Sequence, residues 1–418
     1  MVSAAIKRAE KWMTLSTPVV KPLRGQVGGA SLHKKPLLTL EPDYVLKPLL
    51  ADHRGVREIA FYEAMAIVGS KPDGSKAYRA FIKGSSSTTA INNSQQKQPW
   101  WRTIGDWMDT LAVYGAFVCH DPIVMALEEE LDAASKAVRA QLRKEAELLR
   151  KLSNFTAPYY GVWGQEEYDP TEPYGVAPDD AHLLLQNITI NYVHPCVMDL
   201  KLGTQTYEPD APLAKKDREQ GKYPAQADIG FRIVGMRVYD PHHPDADGAG
   251  FRFWNKEYGR SLATLDQVKE ALREFFTIPA VTTTTTTEKD AAESTPHSNG
   301  DAEAGGPSNG SSSPQPAGTN EPFLRTRAIS SLLLQVRSIR RWFEENDCFR
   351  FYASSLLIVY EGDRSASDVT AVKMIDFGRV RRQSGGDKGY QHGLRNLKHL
   401  LSDLLDEEEE RVGHVPPR

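Results

Sequence analysis

The stretch from Pro195 to Gly203 sets an acid and a base two residues apart, Asp199 and Lys201. Strand side chains alternate between two faces. Read as a strand, the run puts Val197, Asp199 and Lys201 on one side and Cys196, Met198, Leu200 and Leu202 on the other. Pro195 and Gly203 bracket it, as these residue types do at the ends of elements rather than in their middles. A carboxylate and an ammonium aimed the same way can grip a polar ligand between them. On an isolated edge strand the same pair is a surface salt bridge, so the rest of the chain must decide.

Two other segments carry matching chemistry. Val45-Leu46-Lys47 is followed 11 positions later by Glu58. A strand lysine on phosphates, oriented by a helical glutamate, is how kinases hold a nucleotide, although such a pair also arises by chance. Met374-Ile375-Asp376-Phe377-Gly378 puts a carboxylate just after a strand. A hard cation such as Mg2+ is held by carboxylate oxygen at such a rigid end, whereas taken singly the tripeptide is equally a turn. The chain has no H-R-D-x-x-x-x-N loop, no G-x-G-x-x-G before Lys47 and no A-P-E, which disfavours an ordinary protein kinase. Gln26-Val27-Gly28-Gly29-Ala30-Ser31 suits a short phosphate-covering loop or an inert turn.

The elements that must position these residues alternate in character. Tyr44 to Lys47 reads as a strand, and Gly55 to Val68 repeats Val56, Ile59, Ala60, Ala64, Met65 and Ile67 at helical spacing. Leu183 to Leu185 and Ile229 to Val238 read as strands, Leu332 to Phe343 as a helix. Leu356 to Tyr360 and Val372 to Ile375 read as two strands joined by a turn near Gly362-Asp363. Gly393 to Leu405 closes the fold as an amphipathic helix with Leu394, Leu397, Leu401 and Leu404 on one face, and Asp406 to Glu410 as its solvated end. From Asp121-Pro122 to about Leu152 lies the longest helix candidate, with Asp at the N-cap and Pro at the first helical position. Strands with helices set beside them suggest an α+β, kinase-like architecture with two lobes.

Two stretches interrupt this pattern. Gly69 to about Gln98 is rich in Ser, Lys, Asn and Gln, and is followed by Trp100, Trp101 and Trp107, expected to cover core from an added helix. A threonine run, Thr282 to Thr287, opens a polar stretch reaching about Pro322. That composition cannot bury enough apolar surface to offset its ordering entropy, so about 281–322 is expected to be a disordered insertion.

Composition bounds the partners. The 418 residues are 40% hydrophobic and 25% charged, ordinary for a soluble globular protein. With 51 basic and 55 acidic residues the net charge is −4, so global charge predicts no nucleic-acid partner. Cys119, Cys196 and Cys348 are too scattered for a C-x-x-C metal pair or a disulfide framework, which points to a reducing compartment. Met1 to Lys21 carries Lys7, Arg8, Glu10 and Lys11 without a long apolar core. No stretch approaches the roughly 20 apolar residues that span a bilayer, so the nucleus or the cytoplasm is expected.

Taken together, Pro195-x-x-x-Asp199-x-Lys201-x-Gly203, Ser354-Ser355-Leu356-Leu357 and Ile375-Asp376-Phe377-Gly378 resemble the three signatures of the inositol polyphosphate kinase family, in that family's order. Ala157 to Trp163, Gly203 to Tyr207, Lys222-Tyr223-Pro224, Ile229-Gly230-Phe231, Gly235 to Tyr239 and Tyr258 to Leu262 are most similar to its multikinase branch. The resemblance covers about residues 22–68, 155–278 and 325–405. It implies an N-terminal extension at 1–21, an N-lobe at 22–185 with an insertion about 69–152, and a C-lobe at 186–418. The C-lobe would carry a substrate-binding segment about 204–260 as well as the insertion about 281–322.

The resemblance also implies roles. Lys47 would bind ATP phosphates, Gln186 and Ile188 would sit at the adenine hinge, Asp199 would take the ribose hydroxyls and Asp376 would hold Mg2+. Lys201 would bridge the transferred phosphoryl group and the inositol substrate. Arg54, Lys201, Arg218, Lys222, Lys256 and Arg379 would bind that substrate, with Arg218 and Glu219 standing where the family carries substrate-contacting glutamines. Independently of the family, Lys215, Lys216, Arg218 and Lys222 form one basic cluster and Arg379, Arg381 and Arg382 another, as a polyanion would require, with a solvated face the plainer account of Lys215 and Lys216.

The implied activity is ATP-dependent phosphorylation of soluble inositol phosphates such as the tris- and tetrakisphosphate. Single-step inositol trisphosphate 3-kinases, inositol hexakisphosphate kinases and a kinase-fold nuclear scaffold are the alternatives. Gly378-Arg379, where multikinases usually carry Ala-His, is nearer the Gly-Lys of the 3-kinase branch. The protein is expected to be a monomer. Use of a phosphoinositide lipid and of nuclear protein partners stays open at this stage.

Overall fold

The computed structural model describes residues 20–27, 36–40, 42–50, 53–69, 133–163, 181–278, 322–363 and 369–413. Most of both insertions, with Trp100, Trp101, Trp107, Asp121-Pro122 and Gly28 to Ser31, lie outside the described residues, as do the side chains of Val56 and Ile67.

In chain order the elements are β1 (Val20–Pro22), β2 (Leu38–Leu40), β3 (Tyr44–Pro48), α1 (His53–Gly69), α2 (Ala133–Leu152), β4 (Tyr159–Trp163), β5 (His182–Gln186) and β6 (Pro195–Leu202). There follow α3 (Leu213–Gly221), α4 (Gln226–Ile229), β7 (Phe231–Tyr239), β8 (Phe251–Trp254), α5 (Lys256–Ser261), α6 (Leu265–Phe276) and β9 (Thr277–Ile278). The chain closes with β10 (Phe323–Leu324), α7 (Thr326–Glu345), β11 (Phe349–Phe351), β12 (Ser355–Glu361), β13 (Thr370–Ile375), β14 (Val380–Arg382) and α8 (Lys388–Gly413).

The architecture is α+β. One five-stranded antiparallel sheet runs β1-β2-β3-β5-β4 and a second runs β13-β12-β6-β7-β8. β6 is therefore a central strand, paired with β12 on one side and β7 on the other, and the edge-strand account of its Asp-x-Lys falls away. Its alternation holds. Cys196, Met198, Leu200 and Leu202 enter the hydrophobic core, while Val197, Asp199 and Lys201 line a cavity. The second face is walled in by neighbouring segments, which is why Asp199 is only 3% exposed despite its charge.

Helix α1 buries Ile59, Ala60, Ala64 and Met65, as their spacing predicts, together with Phe61 and Tyr62. Phe61 is the join between the halves, its ring 4.9 Å from Phe377 and 6.0 Å from Phe351. Helix α2 falls inside the stretch expected to be inserted, yet Leu142, Leu149 and Leu152 are core residues and Trp342 Nε1 of α7 donates to Leu148 O at 2.8 Å. From Ala133 onward that stretch belongs to the fold.

Two other boundaries shift. The strand expected from Ile229 begins at Phe231, because Gln226–Ile229 makes a helical turn that Gly230 ends at φ 79°. Helix α8 starts before and runs past the predicted limits, and its acidic end is only partly solvated: Glu407 pairs with Lys269 at 2.7 Å and also with Arg273 of α6. Among the described residues no helix is long and apolar enough to cross a membrane.

Candidate active site

The two sheets bring their signature residues to one cavity of about 490 Å³. From the first sheet and α1 come Lys47, Arg54 and Glu58; from the second and the segment after β13 come Asp199, Lys201, Asp376 and Arg379. Lys47 Nζ lies 2.5 Å from Glu58 Oε1 and 2.6 Å from Asp376 Oδ1. Glu58 also accepts from the Phe377 backbone N–H at 3.0 Å. One glutamate thus orients the lysine and fastens the Asp-Phe-Gly segment, although residues 58 and 377 are 319 positions apart.

The backbone bends to make this possible. Asp376 adopts φ 68°, a left-handed conformation that Asp tolerates better than most non-glycine residues. A Cβ on the following Gly378 would lie 2.9 Å from the Arg54 carbonyl oxygen, so the absence of a side chain lets the turn close on the start of α1. In β6 the ladder to β7 slips between Asp199 and Leu200, a bulge that re-aims Asp199, and Gly235 faces it across the pair. Lys201 Nζ donates to the Ala353 carbonyl at 3.0 Å.

Electrostatics divides the two aspartates. Burial pushes the Asp199 carboxyl up to about 6; Asp376 adds to this, while Lys201 and Lys47 oppose it. Burial acts on Asp376 in the same sense, but Lys47 and Lys201 outweigh it and hold that carboxyl below its ordinary range. For Lys47, burial works against the charge, yet Asp376 and Glu58 raise its pKa well above that of a free lysine. Asp199 Oδ1 is buried without a hydrogen-bond partner. An orphaned buried acceptor is costly and calls for a donor from a ligand.

Gln186 and Ile188, expected at the adenine hinge, line the cavity. Asn187 between them spends its amide on structure, donating to Pro42 O at 2.8 Å and accepting from Thr189. Gln26 and Val27 of the glycine-containing loop also line the cavity. Arg54, Lys222, Lys256 and Arg379 also line the cavity and supply positive charge; Arg379 Nη1 donates to Thr206 O at 3.1 Å and Lys222 pairs with Glu219 at 2.5 Å.

Five of the basic residues do not line this cavity. Arg218 is exposed on α3 and does not line the cavity, because the helical turn that brings Glu219 and Lys222 inward points it away. Arg381 is consumed by Glu208 and Asp210, and Arg382 by Glu145. These two are scaffold, not substrate cradle. Lys215 and Lys216 likewise stay outside, near Glu208 and on the Pro209 carbonyl. The sequence reading missed Arg232 and Arg260, which do line the cavity, and Arg57, which spans from Glu208 at 2.7 Å to the Gly378 carbonyl at 3.2 Å. Arg232 stands across the ladder from Lys201, a pairing the sequence does not show, and a single arginine between apolar residues also suits a snorkelling side chain.

The α+β fold thus gathers Lys47, Glu58, Asp199, Lys201 and Asp376 in one cavity. Residues 182–294 and 319–402 match the family model described as inositol polyphosphate kinase. The chain is 31% identical over 229 residues to the human inositol polyphosphate multikinase, covering 55% of this chain and 41% of that protein. Human inositol hexakisphosphate kinase 3 is 28% identical over 316 residues, covering 62% and 65%. The chain thus spans about two fifths of the length of the curated multikinases it matches. A solved inositol phosphate multikinase of S. cerevisiae, in complex with ADP and Mn2+, superposes with a TM-score of 0.42 at 19% identity, covering 61% of this chain and 90% of that one.

Proposed function

We propose that this protein is an ATP-dependent inositol polyphosphate kinase that phosphorylates hydroxyls of soluble inositol phosphates such as the tris- and tetrakisphosphate. The observation that carries this reading is the convergence of Lys47, Asp199, Lys201 and Asp376 on a cavity that Arg54, Lys222, Lys256 and Arg379 also line. The relatives named above support the class of chemistry.

Each residue has a task that its position suits. Lys47, fixed between Glu58 and Asp376, meets the nucleotide phosphates, and Gln186 and Ile188 offer backbone groups to the base. The orphaned Asp199 Oδ1 accepts from ribose hydroxyls. Lys201 lies on the same strand face one pleat further on, where it neutralises charge on the group in transit and reaches the acceptor substrate. Arg54, Lys222, Lys256 and Arg379 hold the substrate phosphates by charge-assisted hydrogen bonds. Such transfer needs alignment and charge neutralisation more than covalent participation by the protein.

The donor set also fits Mg2+. Among the described residues no group of three or more His, Cys, Asp or Glu side chains could hold a metal unaided. Mg2+ is commonly held by one or two carboxylates together with substrate phosphates and water, and Asp376, which lines the cavity, can supply the carboxylate. Bound there, the ion would neutralise charge on the phosphate oxygens.

The test is to incubate the protein with Mg2+ and ATP and each inositol phosphate in turn, then to resolve the products by position-specific NMR. Conversion of the tris- or tetrakisphosphate is expected. ATP turnover without any phosphorylated inositol product would reject the reading.

A further inference from the structure

Among the cations of the cavity stands a carboxylate, Glu219, near the end of α3. Its side chain is 10% exposed and accepts from Lys222 Nζ at 2.5 Å. Burial would raise its pKa, but Lys222, Arg379 and Arg232 together pull it below the ordinary glutamate range, so it is a permanent negative charge at neutral pH. Beside it, Arg232 Nη1 is buried without a hydrogen-bond partner, and Arg260 faces the same guanidinium. The corner therefore offers one fixed acceptor and one unused donor side by side.

A polyanion would meet these two groups differently. An oxygen of the ligand can accept from Arg232, but a phosphate brought against Glu219 must share Lys222 with an existing anion and face a like charge in a partly buried place. A hydroxyl in that position instead donates to the carboxylate. Lys222 cannot serve both anions equally. We infer that Glu219 is a specificity-determining residue that selects substrates presenting a free hydroxyl, not a phosphate, to the corner formed by Lys222, Arg232 and Arg379. This rests on the kinase reading above and deepens it by setting an upper limit on the phosphorylation state of the substrate.

The helix carrying Glu219 is held independently of it, through Gln220 Nε2 to the Tyr207 hydroxyl at 2.8 Å and Lys216 to the Pro209 carbonyl at 2.7 Å. Substitution should therefore change charge without dislodging the element.

The experiment is calorimetric titration of the full chain and of Glu219→Gln with two probes, an inositol tetrakisphosphate and inositol hexakisphosphate, which has no hydroxyl left. The variant is expected to favour the hexakisphosphate, relative to the tetrakisphosphate, by on the order of tenfold more than the parent does, and less so at high salt. Glu219→Asp, which keeps the charge, should stay close to the parent ratio, and thermal melting of each variant checks the fold. An unchanged ratio in Glu219→Gln, with the parent still phosphorylating the tetrakisphosphate, overturns the inference and spares the kinase reading. Failure of the parent to bind either probe overturns both.

Discussion

At the scale of single residues, the site works because environment divides chemically similar groups. Asp199 and Asp376 are both carboxylates facing the same cavity, but only Asp376 has a lysine in hydrogen-bond contact; Asp199 is left buried with an unpartnered oxygen. An acid whose pKa is raised on folding binds its proton more tightly in the native state, so folding loses stability as pH rises from about 4 through about 6. Asp199→Asn should consequently stabilise the ligand-free protein at pH 7, by on the order of 2 kcal/mol, and flatten that part of the pH–stability curve. The same change should abolish the stabilisation that nucleotide confers. Denaturant titrations at pH 4 and pH 7 check the first point; a destabilised variant at pH 7 would show that Asp199 is not strained by burial. Lys201→Ala should lower turnover by about 10²- to 10³-fold while leaving the fold intact, because its ammonium donates to the Ala353 carbonyl and faces a cavity and not the core. Normal turnover in that variant would remove Lys201 from the mechanism.

Elements set these residues in place through a few close approaches. Helix α8 passes the start of β7 where two glycines meet: a Cβ on Gly393 would lie 2.2 Å from the Gly230 carbonyl oxygen and 2.9 Å from Leu202 Cδ1. Gly393→Ala should cost about 1–3 kcal/mol, since neither a backbone carbonyl nor a packed leucine can yield cheaply. Helix α1 is fixed at the other side by Phe61, which sits among Phe349, Phe351 and Phe377. Phe61→Ala should cost about 3–5 kcal/mol, and because Phe377 adjoins Asp376 it should also weaken nucleotide binding. Equilibrium unfolding separates the two effects: loss of stability with unaltered nucleotide affinity would show that α1 does not position the aspartate.

For the whole molecule, the cavity lies where the two sheets face each other, and a ligand gripped from both should hold them together. ATP with Mg2+ at a hundredfold excess over its dissociation constant should add about 2.7 kcal/mol of stability, and chelation of the metal should reduce that gain. Thermal melting with and without chelator reads this directly; no shift on adding nucleotide would contradict a nucleotide site in this cavity. How much of this was visible beforehand differs from part to part. Strand and helix types followed from periodicity at β3, α1, β6, β12 and α8, because alternation and helical spacing are local properties that one sheet face or one helix stripe enforces. The signature residues Lys47, Asp199, Lys201 and Asp376, each ambiguous alone, became legible when their motifs were read together as a resemblance. The long-range pairs were not. Arg381 and Arg382 look like substrate-binding residues until Glu208 and Glu145 are found beside them, and Arg218 and Glu219 look alike in position until α3 turns only Glu219 among three cations. The membership of α2 in the core was hidden for the same reason, since its partners lie on α1 and α7. What the sequence determined by itself was which residues carry charge and which faces are apolar. Only the tertiary structure decided which charges neutralise one another and which stay available, because burial and distance between remote segments set the energy of each charge.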